Sequence, residues 1–198
     1  MTKLIILDRD GVINADSDAY IKTPAEWHPI PGSMEAIARL NQQGYRVAIA
    51  TNQAGVARGL FTMDGLNAIH HKLHQTAQAC GAHIDAIFFC PHATEDNCDC
   101  RKPKPGMLQA IGRRFAVSLK GVAFVGDSLR DLQAGFSVGC TPYLVTTGKG
   151  AQTLAKGGLP PGTSVLHDLA AVADRLLHTE QLVSETVEAA RAALQKGK

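Results

Sequence analysis

The chain of 198 residues is poor in several things, and each shortage removes a class of protein. Its apolar runs, such as Leu4–Leu7 and Ala86–Phe89, fall far below the roughly 20 residues that a membrane-spanning helix needs, and the N-terminus lacks a secretion-signal pattern. Neither sign of charge dominates. Twenty Lys and Arg against 18 Asp and Glu leave a formal charge of +2, too even for a protein that grips a nucleic-acid backbone. Charged residues are 19% and hydrophobic residues 45%, and there is no repeat or low-complexity tract, which excludes a disordered or fibrous chain. The five cysteines are an odd number, which argues against a disulfide framework. A soluble, cytoplasmic, single-domain protein with no membrane or nucleic-acid partner is expected.

What is present is an alternation of short apolar runs and amphipathic stretches. Leu4–Leu7 reads as a buried strand that runs into the polar Asp8-Arg9-Asp10-Gly11. Met34, Ile37, Ala38 and Leu40 recur at helical spacing within 32–43, and Gly44 is a stop. Tyr45–Ala50 predicts a second strand, ending in Thr51-Asn52-Gln53, and Thr62 caps a helix through about Ala79. Further strands are expected over Ile84–Phe89, Val122–Val125 and Pro142–Val145 and near Val165, with helices after Pro105 and over Leu129–Val138. This order implies an α/β fold, a doubly wound, mainly parallel sheet of Rossmann-like type. Residues 1–178 form the domain. Residues 179–198 are a helix-prone tail with Leu182, Val183, Val187, Ala190 and Leu194 on one stripe, to which no chemistry is assigned.

Polar residues collect where strands end, which is where ligands bind in such sheets. Asp8 and Asp10 project to the same side of an extended backbone, and Asp127 follows another strand. Three carboxylates repel one another unless a cation joins them, and an all-oxygen set suits Mg²⁺. Arg101, Lys102 and Lys104, stiffened by two prolines, read opposite those carboxylates as a phosphate clamp. Cys90-Pro-His92 and Cys98-Asp-Cys100 give C-x-H-x5-C-x-C within the 90–101 loop, a closed tetrahedral set of four ligands that reads as structural zinc. That loop has no apolar anchor of its own, and its last ligand adjoins Arg101-Lys102.

Asp8-x-Asp10-Gly-Val, Thr51 after a hydrophobic strand, Lys102, and Gly126-Asp127-Ser-Leu-Arg-Asp131 resemble, in order, the four motifs of the haloacid dehalogenase superfamily over about residues 4–150. The resemblance implies phosphoryl transfer with Asp8 as nucleophile and Asp10 as general acid and base. Thr51 and Lys102 would steady the phosphoryl group, and Asp8, the Asp10 carbonyl and Asp127 would hold Mg²⁺. Asp131 would orient Lys102 rather than bind metal. About forty residues separate Asp8 from Thr51, too few for a large cap domain. The zinc loop and the stretch Thr51-Asn-Gln-Ala-Gly-Val-Ala-Arg-Gly59 narrow the resemblance to the D,D-heptose 1,7-bisphosphate phosphatases and their relatives, the histidinol-phosphate phosphatases. The heptose branch implies an enzyme that removes the 7-phosphate of D-glycero-D-manno-heptose 1,7-bisphosphate, on the route to nucleotide-activated heptose and lipopolysaccharide; a monomer is expected. Its substrate contacts would fall on Asp16 (or Asp18), Tyr20, Asn52, Gln53 and Arg101.

Histidinol-phosphate phosphatase is the alternative enzyme. A phospho-accepting receiver module is disfavoured because its phosphorylated Asp follows a middle strand, and an inactive zinc module because Asp8, Asp10, Lys102 and Asp127 are intact. His70, His71 and His74 are expected on a solvated helix face, Trp27 as a packing residue under the first loop, and Cys80 and Cys140 as small core residues.

Overall fold

A computed structural model describes residues 3–196. Six parallel strands form one sheet: β1 (Lys3–Leu7), β2 (Tyr45–Asn52), β3 (Ala86–Cys90), β4 (Ala123–Gly126), β5 (Thr141–Val145) and β6 (Ser164–Leu166), in the spatial order β3-β2-β1-β4-β5-β6. The chain winds outward from β1 to β3, then crosses back so that β4 lies on the other side of β1. The crevice between the carboxyl ends of β1 and β4 is therefore the topological switch point. The helices are α1 (Ser33–Gln42), α2 (Met63–Ala79), α3 (Gly106–Phe115), α4 (Leu129–Ser137), α5 (Gly150–Lys156) and α6 (Leu169–Lys196). Every strand and helix expected from sequence is found within a few residues of its expected bounds. Neither α5 nor the first part of α6 was expected from the sequence pattern.

The period of two along β1 sorts its side chains between two cores. Ile5 and Leu7 join α1, α2 and α6 through Ile37, Leu40, Ile69, Leu73 and Val172. Leu4 and Ile6 join α3 and α4 through Leu108, Ile111 and Ala134. Ile5, Ile6 and Leu7 are wholly shielded from solvent, each worth about 1.5–3 kcal/mol of transfer energy, so the strand that carries Asp8 is among the most firmly held in the sheet. Thr62 accepts from the Gly65 N–H at 3.2 Å and so caps α2 as expected.

Between β1 and β2 lie only a 3-10 turn (Pro24–Glu26) and α1, so no large cap domain covers the sheet ends. Trp27 is fully buried, and its carbonyl accepts from Lys72 Nζ at 2.7 Å, in keeping with a packing role. Two expectations are overturned. His70 does not lie on the solvated face of α2 with His71 and His74 but is buried, because the helical period groups it with Leu66, Ile69 and Leu73 on the inward stripe, where it meets Arg9 of the first loop. Cys80 is exposed, since α2 ends there and Cys80 is its C-cap; Cys140 is buried as expected.

The tail continues α6 without a break. It is tied to the domain as far as Glu180, which accepts from Lys3 Nζ at 2.7 Å and the Tyr45 hydroxyl at 2.9 Å. Leu182 and Val187 beyond it are exposed, and the side chains of Val183, Ala190 and Leu194 lie outside the described residues. Among the described residues, no helix is long and apolar enough to cross a membrane.

Candidate active site

The ten residues expected to carry phosphoryl and substrate chemistry come together. Asp8, Asp10, Asp16, Tyr20, Thr51, Asn52, Gln53, Arg101, Lys102 and Asp127 line one cavity of about 210 Å³ at the switch point. Asp8 is fixed as the chain leaves β1, its N–H donating to the Val125 carbonyl of β4 at 2.8 Å. Its Oδ1 accepts from the Arg9 N–H at 2.7 Å and pairs with Lys102 Nζ at 2.9 Å. Among the described residues no hydrogen bond is made to Oδ2, so that oxygen is the one left to face a ligand.

Lys102 is only 2% exposed, and its ammonium has three acceptors for three N–H groups. These are Asp8 Oδ1, Asp131 Oδ1 at 2.6 Å and the Ala50 carbonyl at 2.7 Å. Burial acts to lower its pKa, but the charges of Asp131 and Asp8 outweigh it and hold the lysine cationic. The other oxygen of Asp131 accepts from the Ser128 N–H and hydroxyl at 3.0 and 2.6 Å in the capping box that opens α4. Both oxygens of Asp131 are thereby engaged, and the residue orients Lys102.

Asp127 is held by a segment absent from the sequence reading, Thr147–Thr153. Its Oδ2 accepts from the Lys149 N–H at 2.7 Å and its carbonyl accepts from the Thr153 hydroxyl at 2.8 Å, while Thr147 donates to the Gly11 carbonyl at 2.7 Å. Gly11 and Gly148 close over the carboxylate. A Cβ on either would stand 2.0 or 2.3 Å from Asp127 Oδ2, so only glycine fits. Gly148-Lys149-Gly150 directly after β5 was the signal available in the sequence, two glycines at the end of a strand that points to the site. The Lys149 side chain reaches forward to Asp16 at 3.2 Å and Asp18 at 3.1 Å, of which Asp18 is 94% exposed.

The carboxylates divide into two kinds. Burial and the charge of Asp131 raise Asp8 well above the usual range, and the same two causes raise Asp127 to about 7. Asp8, Asp127 and Asp131 present oxygens within 4.8 Å of one another. A hard divalent cation fits such a set of crowded oxygens, with Asp8 and Asp127 free to bind it. Burial also acts to raise Asp10, but the Arg9 charge and hydrogen bonds from Asn14, Arg9 and Gln53 more than reverse it and hold its carboxyl below the usual range. Gln53 Nε2 bridges Asp10 Oδ2 and Thr51 Oγ1, both at 2.9 Å. Asn52 exchanges two hydrogen bonds of 3.1 Å with the Lys102 backbone. The amide groups of Asn52 and Gln53 thus position their neighbours as well as lining the cavity.

The four zinc-type ligands also converge, their donor atoms lying within 4.8 Å of one another. The Sγ atoms of Cys90, Cys98 and Cys100 are 3.3–3.5 Å apart and His92 Nδ1 is 3.3 Å from Cys100 Sγ. A tetrahedral zinc with Zn–S bonds of ~2.3 Å spaces its sulfurs by about 3.8 Å, so the ligands need move only tenths of an ångström to enclose an ion. Burial and the neighbouring thiols push Cys90 up to about 12 while Cys98 is lowered to about 7, against its own slight burial, by bonds from Cys100 and Cys90. Three thiols so unlike in acidity become three thiolates when a divalent ion joins them. Arg101, whose Nη1 donates to the His92 carbonyl at 3.2 Å, ties this loop to the cavity.

The haloacid dehalogenase-like hydrolase family matches residues 2–139. The D-glycero-beta-D-manno-heptose-1,7-bisphosphate 7-phosphatase of Bordetella bronchiseptica is 61% identical over 175 residues, covering 88% of this chain and 98% of that protein. The protein of the same name from Pseudomonas aeruginosa is 57% identical over 174 residues, covering 88% and 97%. The crystal structure of the B. bronchiseptica D,D-heptose 1,7-bisphosphate phosphatase, complexed with magnesium and phosphate, superposes with a TM-score of 0.88 at 60% identity, over 89% of this chain and 99% of that one.

Proposed function

Because this chain belongs to the haloacid dehalogenase-like hydrolases, and among them to the heptose bisphosphate phosphatases, which are phosphoric monoester hydrolases, we propose that it removes the 7-phosphate of D-glycero-D-manno-heptose 1,7-bisphosphate. The product is heptose 1-phosphate, a precursor of nucleotide-activated heptose and lipopolysaccharide. The β anomer is the one for which the relatives are named. The observation that carries the reading is Asp8 lining the cavity with Oδ1 held by Lys102 and the Arg9 N–H and, among the described residues, no hydrogen bond to Oδ2.

In this reading Asp8 Oδ2 attacks the 7-phosphorus in line and the phosphoryl group passes to Asp8. Lys102 and the Thr51 hydroxyl steady the transferring oxygens. Asp10 gives a proton to the departing C7 oxygen and later takes one from the water that hydrolyses the aspartyl-phosphate. The incoming phosphate charge works against the depression of Asp10 by Arg9. Asp8, the Asp10 carbonyl and Asp127 would hold Mg²⁺, which supplies charge neutralisation for the phosphoryl oxygens. The crystal structure with magnesium and phosphate is that of a relative 60% identical to this chain, which supports the choice of ion. The loop of Cys90, His92, Cys98 and Cys100 would hold zinc in a structural role, fixing Arg101 and Lys102. Asp16, Tyr20 and Arg101 line the cavity where the sugar and its second phosphate would lie.

The test is phosphate release from the bisphosphate with Mg²⁺ present, the product followed by ³¹P NMR. Retention of the phosphate on C1, with release abolished in Asp8→Asn, is expected. Retention on C7, or an active D8N variant, would overturn the reading.

A further inference from the structure

Arg9 is a guanidinium with no solvent exposure, and burial obliges it to place its N–H groups on acceptors. Nε and Nη2 fork onto the two oxygens of Asp10 at 3.0 and 2.9 Å. Nη1 lies 3.3 Å from Nε2 of His70, a residue of α2 that takes no part in the reaction proposed above. Arginine has only donors, so the imidazole nitrogen accepts and the proton of the ring sits on Nδ1. Burial, with the Arg9 charge adding to it, lowers His70 to about 3 and keeps the ring neutral, as acceptance requires. Phe89 of β3 packs against the imidazole with ring centres 5.9 Å apart.

We infer that His70 is a positioning residue for Asp10, acting through Arg9. A fork alone lets the guanidinium rock about the Asp10 carboxylate. A third anchor on a separate helix fixes its plane and so fixes Asp10 relative to the scaffold rather than to its own loop. Asn14 and Gln53 hold the same carboxylate, one at each oxygen, at 2.9 Å. The chain His70–Arg9–Asp10 thus extends from the outer layer of the fold to the group that exchanges a proton with the leaving oxygen. The inference rests on the acid role proposed for Asp10.

The leaving group supplies the test. kcat/KM reports steps up to departure of the alcohol, and p-nitrophenolate departs without a proton whereas a sugar alkoxide needs one. With His70→Leu, kcat/KM on the heptose bisphosphate should fall about tenfold or more while that on p-nitrophenyl phosphate stays within about threefold. H70Q, whose Oε1 can accept from Nη1, should stay within about threefold of the unaltered enzyme on both esters. If H70L does not fold, Arg9→Lys, which keeps the charge and loses the fork, must give the same split between esters. Equal loss on both esters, no loss in H70L, or H70Q as poor as H70L would overturn the inference. Asp10→Asn run alongside separates the failures: an active D10N on the bisphosphate overturns the acid role and the inference with it. An inactive D10N with an unimpaired H70L overturns the positioning alone.

Discussion

Replacing His70 by glutamine should change how stability depends on pH, and the size follows from burial. The folded imidazole is lowered to about 3 by burial, with the Arg9 charge adding to it, whereas in the unfolded chain it titrates near 6.5. The unfolded state therefore gains a proton as pH falls below about 6.5, and the folded state does not until near 3. Stability is complete above the unfolded value and is lost progressively through that window. Between pH 8 and pH 5 the loss from this one group is about 2 kcal/mol, at roughly 1.4 kcal/mol per pH unit below 6.5. The carboxylates of Asp8 and Asp127 are raised and pull the other way, so the unaltered protein alone does not isolate the effect. The difference between the two proteins does, because the substituted glutamine does not titrate and the other groups cancel. Urea unfolding at pH 8, 6.5 and 5 should show H70Q gaining about 2 kcal/mol relative to the unaltered protein as pH falls. A difference constant with pH to within about 0.5 kcal/mol would refute the buried, neutral histidine.

Gly148→Ala would put a Cβ 2.5 Å from Gly11 Cα as well as against Asp127, so Mg²⁺ titration of phosphate release should show activity down by about two orders of magnitude. Unchanged activity would mean that the cradle yields. Lys102→Met leaves Asp8 and Asp131 buried without their cation; urea unfolding should show a loss of about 3–5 kcal/mol, with no detectable turnover. Cys98→Ser should lower bound zinc, measured by atomic absorption, from one ion per chain and lower Tm by about 5 °C, consistent with a loss of about 2 kcal/mol. Full zinc content in that variant would remove Cys98 from the ligand set.

The fold was legible where burial imposes a period. Ile5 and Leu7 against Leu4 and Ile6, and the spacing of Ile37 and Leu40, are local signals that tertiary packing reinforces. The zinc-type residues, and the pairs Asp8/Asp10 and Asp127/Asp131, were legible because each group crowds in sequence, and the two acidic pairs were joined by their shared place at strand ends. The pairing of Arg9 with His70 and the 147–153 cradle were not. The spacing of Leu66, Ile69, His70 and Leu73 does set His70 on the buried face of α2, but its partner Arg9 is 61 residues away and meets it only when α2 packs on the first loop. Lys149 acts through its backbone N–H, which no side-chain pattern reveals. Gly148 and Gly150 did offer a hint, since glycine pairs at a strand's carboxyl end mark close backbone approach.

The most direct test sets D-glycero-β-D-manno-heptose 1,7-bisphosphate beside histidinol phosphate, both with Mg²⁺, and compares kcat/KM for phosphate release. A value at least about a hundredfold higher on the bisphosphate is predicted, because Arg101, the first-loop residues Asp16 and Asp18, and Lys149 from the segment after β5 line the cavity where the rest of that sugar phosphate would lie. A preference for histidinol phosphate, or no release from either ester, would contradict the account.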